Sequence, residues 1–233
     1  MTQPIPLILV PGILCDAALW ENQLNHLKDI ADCSVPDTTK ADSIQTIASG
    51  ILEAAPPQFA LAGLSMGGYI AFEIMRQAPE RVLKLAILDS SARADTPEQQ
   101  EKRRLLTAMS YTGQFKGVTP RLLARLIHPD RLNDAVLTGT ITAMTERVGR
   151  DAFVRQQTAA VNRVDSRPFL QDIRCPTLVA GGRQDATTPL ELFEEIAAGI
   201  AGARLAIIEE CGHLSPLERP AQVNALMRQW LGS

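Results

Sequence analysis

The sequence predicts an α/β fold: a mostly parallel sheet of about six strands, covered by helices and interrupted by a helical excursion. Three observations carry this. Short apolar runs alternate with stretches of helical periodicity towards both ends of the chain. Val82–Asp89 is apolar almost throughout, as a strand covered on both faces of a parallel sheet must be. Between Ala94 and Pro168, strand signals stop altogether. Alternating βα units imply right-handed crossovers with helices on both sides of the sheet, and 233 residues suffice for one such core.

The first unit is a strand at Ile5–Val10 that breaks at Pro11–Gly12, followed by a helix over Ala17–Lys28 with Asp16 as its N-cap. Asp32–Val35 is a weak strand, and Asp42–Ala54 a helix ended by Pro56–Pro57. Gln58–Leu64 is a stronger strand, succeeded by a helix over Met66–Ala78 and then by Val82–Asp89. The excursion shows only helical patterns: Leu105/Leu106/Met109, Leu122/Leu123/Leu126/Ile127, Ala135–Val148 and Ala152–Val161. Apolar residues so spaced are expected to form the excursion's own core. Strand signals return at Pro176–Gly181 and Arg204–Ile208, with helices at Pro189–Ile200 and near Ala221–Leu231. The expected division is therefore a core of residues 1–93 and 169–233 with a cap of residues 94–168. At about 75 residues the cap is far longer than an ordinary connection, and it is expected to lie over the sheet's active edge.

Twenty-three basic against 26 acidic residues leave a formal charge of −3, so nothing draws this chain to nucleic acid or to an anionic membrane. The dense cluster Lys102–Arg103–Arg104 follows Glu98 and Glu101 and reads as a solvated face with local ion pairs. Four dispersed cysteines without a C-x-x-C pair read as reduced thiols. The apolar run at Ile5–Val10 is too short for a signal-peptide core or a membrane span, so a cytoplasmic location is expected. Three scattered histidines, His26, His128 and His213, lack ligand spacing, and neither a metal nor another cofactor is expected. His128, beside Pro129, reads as a surface residue, and Cys15, Cys211, Trp20 and Tyr69 as packing residues.

One motif stands out. Gly63-Leu64-Ser65-Met66-Gly67 is G-x-S-x-G between a predicted strand and a predicted helix. Ser65 could be an ordinary helix cap, but a sharp strand-to-helix reversal also explains the glycines. The central residue is forced into strain, and side chains on its neighbours would strike backbone. Such a turn exposes the hydroxyl, and the helix start offers N–H groups to developing negative charge. A serine nucleophile needs a base, and the base an orienting acid, in the order Ser, acid, His. Asp185, after the strand Pro176–Gly181, and His213, after the strand Arg204–Ile208, meet that order at strand ends on one sheet edge. Asp89 ends a strand on the same edge and stays open as the acid; its bland reading is an anchor for the following turn.

This constellation resembles the α/β-hydrolase superfamily along nearly the whole chain, most of all small bacterial esterases and enol-lactone hydrolases with a helical cap. "VPGILCDAALW" is similar to the family's oxyanion loop, "GLSMGG" to its nucleophile elbow, "GGRQDATTP" to its acid loop and "ECGHLSPLERP" to its histidine loop. The resemblance implies Ser65 as nucleophile, His213 as general base and Asp185, ahead of Asp89, as acid. It implies an oxyanion hole from the N–H groups of Met66 and Ile13, with Leu14 the less favoured donor. The substrate implied is a small to medium hydrophobic ester or lactone. Carbon–carbon bond hydrolysis, cofactor-free halogenation and a non-catalytic small-molecule receptor remain as alternatives, because one site of this kind hosts many chemistries. Two departures stand out. The family's N-terminal antiparallel hairpin is expected to be missing, since only Met1–Pro4 precede Ile5 here, and Pro11 stands where many relatives have histidine. Without the hairpin, the strand Asp32–Val35 would lie at the sheet edge, where a second copy could pair to form a homodimer.

Overall fold

The computed structural model describes residues 4–112, 115 and 117–232. Six strands form one parallel sheet: β1 (Ile5–Val10), β2 (Ala31–Ser34), β3 (Phe59–Leu64), β4 (Val82–Leu88), β5 (Thr177–Gly182) and β6 (Arg204–Ile208). Their order is β2-β1-β3-β4-β5-β6, so β2 is the edge strand that the sequence leads one to expect. The chain runs from β1 outward to β2, then returns to the other side of β1 to lay down β3. The strand order therefore reverses between β1 and β3, and open α/β sheets bind ligands at the carboxyl ends of strands at such a reversal.

The helices are α1 (Glu21–His26), α2 (Ile44–Ala54), α3 (Met66–Gln77), α4 (Pro97–Ser110), α5 (Pro120–Leu126), α6 (Ala135–Val161), α7 (Leu190–Gly199), α8 (Ser215–Glu218) and α9 (Pro220–Gly232). The helix expected over 17–28 is split into a 3-10 turn at Ala17–Trp20 and α1, and Asp16 caps it by accepting from Ala18 N. The two helical patterns expected over 135–161 run on as α6, broken at Gly149, whose φ of 75° and ψ of 176° are open to glycine and closed to most side chains.

Period-two alternation sorts the strand residues into two cores, one on each face. Ile8, Val10, Leu61, Leu85, Ile87 and Val179 join apolar residues of α2, α3 and α7. Leu7, Leu9, Ala62, Leu88, Leu178 and Ala180 join Trp20, Val223, Met227 and Trp230. α6 belongs to both cores. Leu137, Ile141 and Met144 from its first half pack with the second set, whereas Ala159 and Ala160 from its last turns pack with the first. The helix thus crosses from one face of the sheet to the other. On the way it ties down the loops after β1 and β2, through Arg147 to Asp16 at 2.7 Å and Arg155 Nε to Thr39 O at 2.7 Å.

α4 departs from expectation. Leu105, Leu106 and Met109 face solvent, Met109 being 65 % exposed, so they form no core of their own. The helix is held instead by its charged face. Arg103 reaches the buried Asp95 and bonds Gln157 on α6, so it is no member of a solvated cluster; Arg104 alone pairs locally, with Glu101. No helix among the described residues is long and apolar enough to cross a membrane.

Phe72 on α3 is fully buried, and Phe72→Ala is expected to cost about 3–5 kcal/mol. Met109→Ala should stay within about 0.5 kcal/mol of wild type. Urea unfolding of the two variants checks both.

Candidate active site

Ser65 sits where β3 turns into α3, at φ 55° and ψ −116°, a conformation rare outside glycine. Its backbone is pinned from both sides: Ser65 N donates to Leu88 O at 3.0 Å, and Ser90 Oγ donates to Ser65 O at 2.7 Å. A Cβ on Gly63 would overlap the Gly67 carbonyl, and one on Gly67 would overlap the Val10 carbonyl. Elbow and β1 are therefore in backbone contact, which any larger residue would prevent. The Ser65 side chain caps nothing in α3. Its Oγ lies 2.9 Å from His213 Nε2 and the residue keeps partial exposure, so the helix-cap reading does not hold.

His213 Nδ1 lies 2.7 Å from Asp185 Oδ2. Asp185 is itself held tightly, its Oδ1 accepting from Thr187 N and Thr188 N at 2.7 and 2.8 Å and its Oδ2 from Thr188 Oγ1 at 2.5 Å. Burial works to raise its pKa, but the His213 charge, the bond to His213 and the Thr188 donors outweigh it and hold the carboxyl below its usual range. For His213, burial favours the neutral ring. Attraction to Asp185 and the bond to it prevail and lift the pKa above its ordinary value.

The structure separates the two candidate acids. Asp89 is fully buried and accepts from Gly182 N at 2.9 Å, and Ser215 Oγ donates to its other oxygen. Its carboxyl thus ties β4 to β5 and to α8, not to the turn that follows it. Burial, then the nearby Asp185 charge, pushes its pKa up to about 8. At neutral pH Asp89 is largely uncharged, and Asp185 is the anion facing the imidazole.

Two supporting residues escaped the sequence reading. Thr188 places its hydroxyl on Asp185 and 3.2 Å from His213 Nδ1. Glu218, buried on α8, accepts from Gly212 N at 3.0 Å, Leu214 N at 3.3 Å and His128 N at 2.7 Å, clasping the loop on both sides of His213. The only sequence signal was an acid five residues after the histidine. His128 is only partly exposed, its side chain at 13 %, with Nδ1 accepting from Asp130 N.

The N–H of Met66 opens α3 beside Ser65, and the loop bearing Ile13 lies against the elbow, since a Cβ on Gly12 would come within 3.2 Å of Ser65 Cβ. Among the described residues, neither amide has a protein acceptor, whereas Leu14 N donates to Gln156 Oε1 at 3.0 Å. Cys15 and Cys211 are buried free thiols. Burial pushes Cys15 up to about 12 and Cys211 higher still, so neither is a thiolate. Among the described residues, no three His, Cys, Asp or Glu side chains come together as a metal ion would require. A cavity of about 330 Å³ beside α3 is lined by Tyr69, Arg76 and Arg163 but by none of Ser65, Asp185 or His213. Its arginines are engaged, Arg76 with Glu73 and Ser166, and Arg163 with Asp95 and the Tyr69 ring.

A parallel sheet with this strand-to-helix serine turn, bonded to a histidine on a later strand-end loop, defines a class, and the sequence profile of the Alpha/beta hydrolase family matches residues 7–226. The chain belongs to that family. It is 28% identical over 234 residues to a Mycobacterium tuberculosis protein named "Putative non-heme bromoperoxidase BpoC", covering 98% of this chain and 87% of that one. It superposes on a thermophilic esterase from Thermogutta terrifontis with a TM-score of 0.87 and 28% identity, over 97% of this chain and 89% of the other. The enol-lactonase from Burkholderia xenovorans shares the fold, with a TM-score of 0.91 at 21% identity over 100% and 93% of the two chains.

Proposed function

We propose that this protein is a serine hydrolase that cleaves carboxylic esters or lactones of small to medium hydrophobic acyl groups. The observation that supports this reading above all others is the continuous chain Ser65 Oγ, His213 Nε2, His213 Nδ1, Asp185 Oδ2, with spacings of 2.9 and 2.7 Å, ending on a strained and accessible serine. Likeness to an esterase supports it further.

In this mechanism Ser65 attacks the substrate carbonyl while His213 takes its proton. Negative charge gathers on the carbonyl oxygen, where the N–H groups of Met66 and Ile13 stabilise it. The protonated His213 then gives its proton to the leaving alcohol, and an acyl group stays on Ser65. Water, deprotonated by His213, releases the acid and restores the serine. Asp185 fixes the tautomer with the proton on Nδ1 and stabilises the imidazolium. The protein residues suffice for each step, without a cofactor.

The deciding experiment is hydrolysis of nitrophenyl esters from acetate to octanoate by wild type and Ser65→Ala. Multiple turnovers in wild type and their loss in Ser65→Ala are expected. No turnover on any chain length would favour carbon–carbon hydrolysis, halogenation or the receptor reading. In the same assay Asp185→Asn should lower kcat by about 10³-fold or more, while Asp89→Asn, replacing a largely neutral acid by a neutral amide, should cost less than about 10-fold. The reverse ranking would make Asp89 the acid.

The pH dependence has a definite sign. A general base acts as the neutral ring, so kcat/KM should rise with pH as His213 loses its proton. Because Asp185 lifts the folded-state pKa, the midpoint should lie above that of a free imidazole, ~6.5. A profile that is flat from acid to neutral would remove His213 from the role.

A further inference from the structure

The loop that would supply the Ile13 amide is a tight turn, closed by Cys15 N donating to Gly12 O at 3.2 Å. Leu14 is the third residue of that turn, at φ 59°. A type II turn needs a positive φ there and normally recruits glycine or asparagine; a γ-branched leucine holds the same position only if its surroundings compel it. The peptide between Ile13 and Leu14 is gripped at both ends. Cys15 Sγ donates to Ile13 O at 3.4 Å, and Leu14 N donates to Gln156 Oε1 at 3.0 Å.

Gln156 comes from the part of α6 beyond Gly149, 142 residues away in sequence from Leu14. Its exposure is 0 %, and its other polar end is satisfied too, with Nε2 donating to the buried Thr38 Oγ1 at 3.4 Å. A buried amide costs free energy unless both ends are bonded. One end of this one is spent on the single amide in the turn whose direction decides how the turn is folded.

We propose that Gln156 is a positioning residue for the oxyanion hole. By taking the Leu14 N–H, it holds the turn in its strained form, and this leaves the Ile13 N–H as the free donor beside Met66. Leu14, the other candidate donor, is thereby withdrawn from substrate. The hole is complete only while the second half of α6 is seated on the loops after β1 and β2, so the roof helix governs transition-state stabilisation without touching the reacting atoms. This inference rests on the serine-hydrolase reading above.

The test uses Gln156→Met, which keeps the volume but offers only a weak acceptor, and Gln156→Glu, which keeps an acceptor for Leu14. Active sites are counted by labelling Ser65 with a fluorophosphonate. Then kcat and KM for the best nitrophenyl ester are measured, along with inhibition by a trifluoromethyl ketone, whose adduct places an oxyanion in the hole. Loss of one oxyanion donor costs about 10²–10³ in kcat, so misplacing one in Gln156→Met should cost about 10–100-fold per labelled site, with KM within about threefold. Affinity for the ketone should fall in parallel, and Gln156→Glu should recover most of the rate. If Gln156→Met does not fold, Gln156→Ala removes the same acceptor and is read in the same way. Wild-type kcat and ketone affinity per labelled site in a folded variant lacking the acceptor would overturn the proposal while leaving the hydrolase reading intact. Absence of Ser65 labelling and of turnover in wild type would instead overturn the hydrolase reading, and this inference with it.

Discussion

Everything at this site depends on one backbone reversal. Between Leu64 and Met66 the chain passes from the centre of a sheet into the first turn of a helix without a loop, and Ser65 absorbs the change at φ 55°. Such a conformation persists only where its surroundings over-determine it. Here β3 is paired with β1 on one side and β4 on the other, Leu88 O holds the serine amide, and Ser90 holds its carbonyl. The strain is compensated by two strand ladders, a buried helix and the bonds to the serine backbone, not by contacts of its side chain. As a result the hydroxyl needs no protein partner except the imidazole.

Charge is managed by the same economy of partners. Three carboxyls, Asp89, Asp185 and Glu218, lie buried around one histidine. If all were ionised they would repel one another strongly at low dielectric. Burial and the nearness of Asp185 raise Asp89, burial raises Glu218 despite its three amide donors, and the imidazole draws Asp185 down. The carboxyl with the closest cationic partner keeps its charge, while Asp89 is largely neutral and acts as a brace. Glu218 reaches the same loop and joins it to His128, so the excursion between β4 and β5 helps to hold the histidine loop.

α6 gives the excursion a second part in the site. Its two halves serve opposite faces of the sheet, and the break at Gly149 lets one element do both. Buried apolar residues seat the helix, and Arg147, Arg155 and Gln156 spend polar contacts on the loops after β1 and β2. The loop after β1 borders the point between β1 and β3 where the strand order reverses. The excursion and these loops are in this sense a single packed unit.

Much of this was legible from local chemistry. Apolar runs, glycines around Ser65 and strand-end positions of Asp185 and His213 are properties of neighbours in the chain, and period and turn rules read them directly. The sheet edge lies at β2, which pairs only with β1, whereas β1 also pairs with β3. Other features depend on residues far apart. Nothing local distinguishes Asp89 from Asp185, because both end strands on one edge; burial beside β5 and the reach of His213 Nδ1 separate them. The 3.6-residue period of Leu105, Leu106 and Met109 marks a helix but not which face meets protein, and α4 turned Arg103 inward to Asp95 and Gln157 instead. Gln156 and Glu218 carry no pattern at all, as an amide or a carboxyl acquires its meaning from the backbone groups that folding brings to it. Local sequence thus determined which residues could do chemistry and in what order they occur along the chain. Only the packed structure decided which of them are charged, which are braces and which amide is left free, because desolvation and hydrogen-bond partners arise from contacts between distant segments.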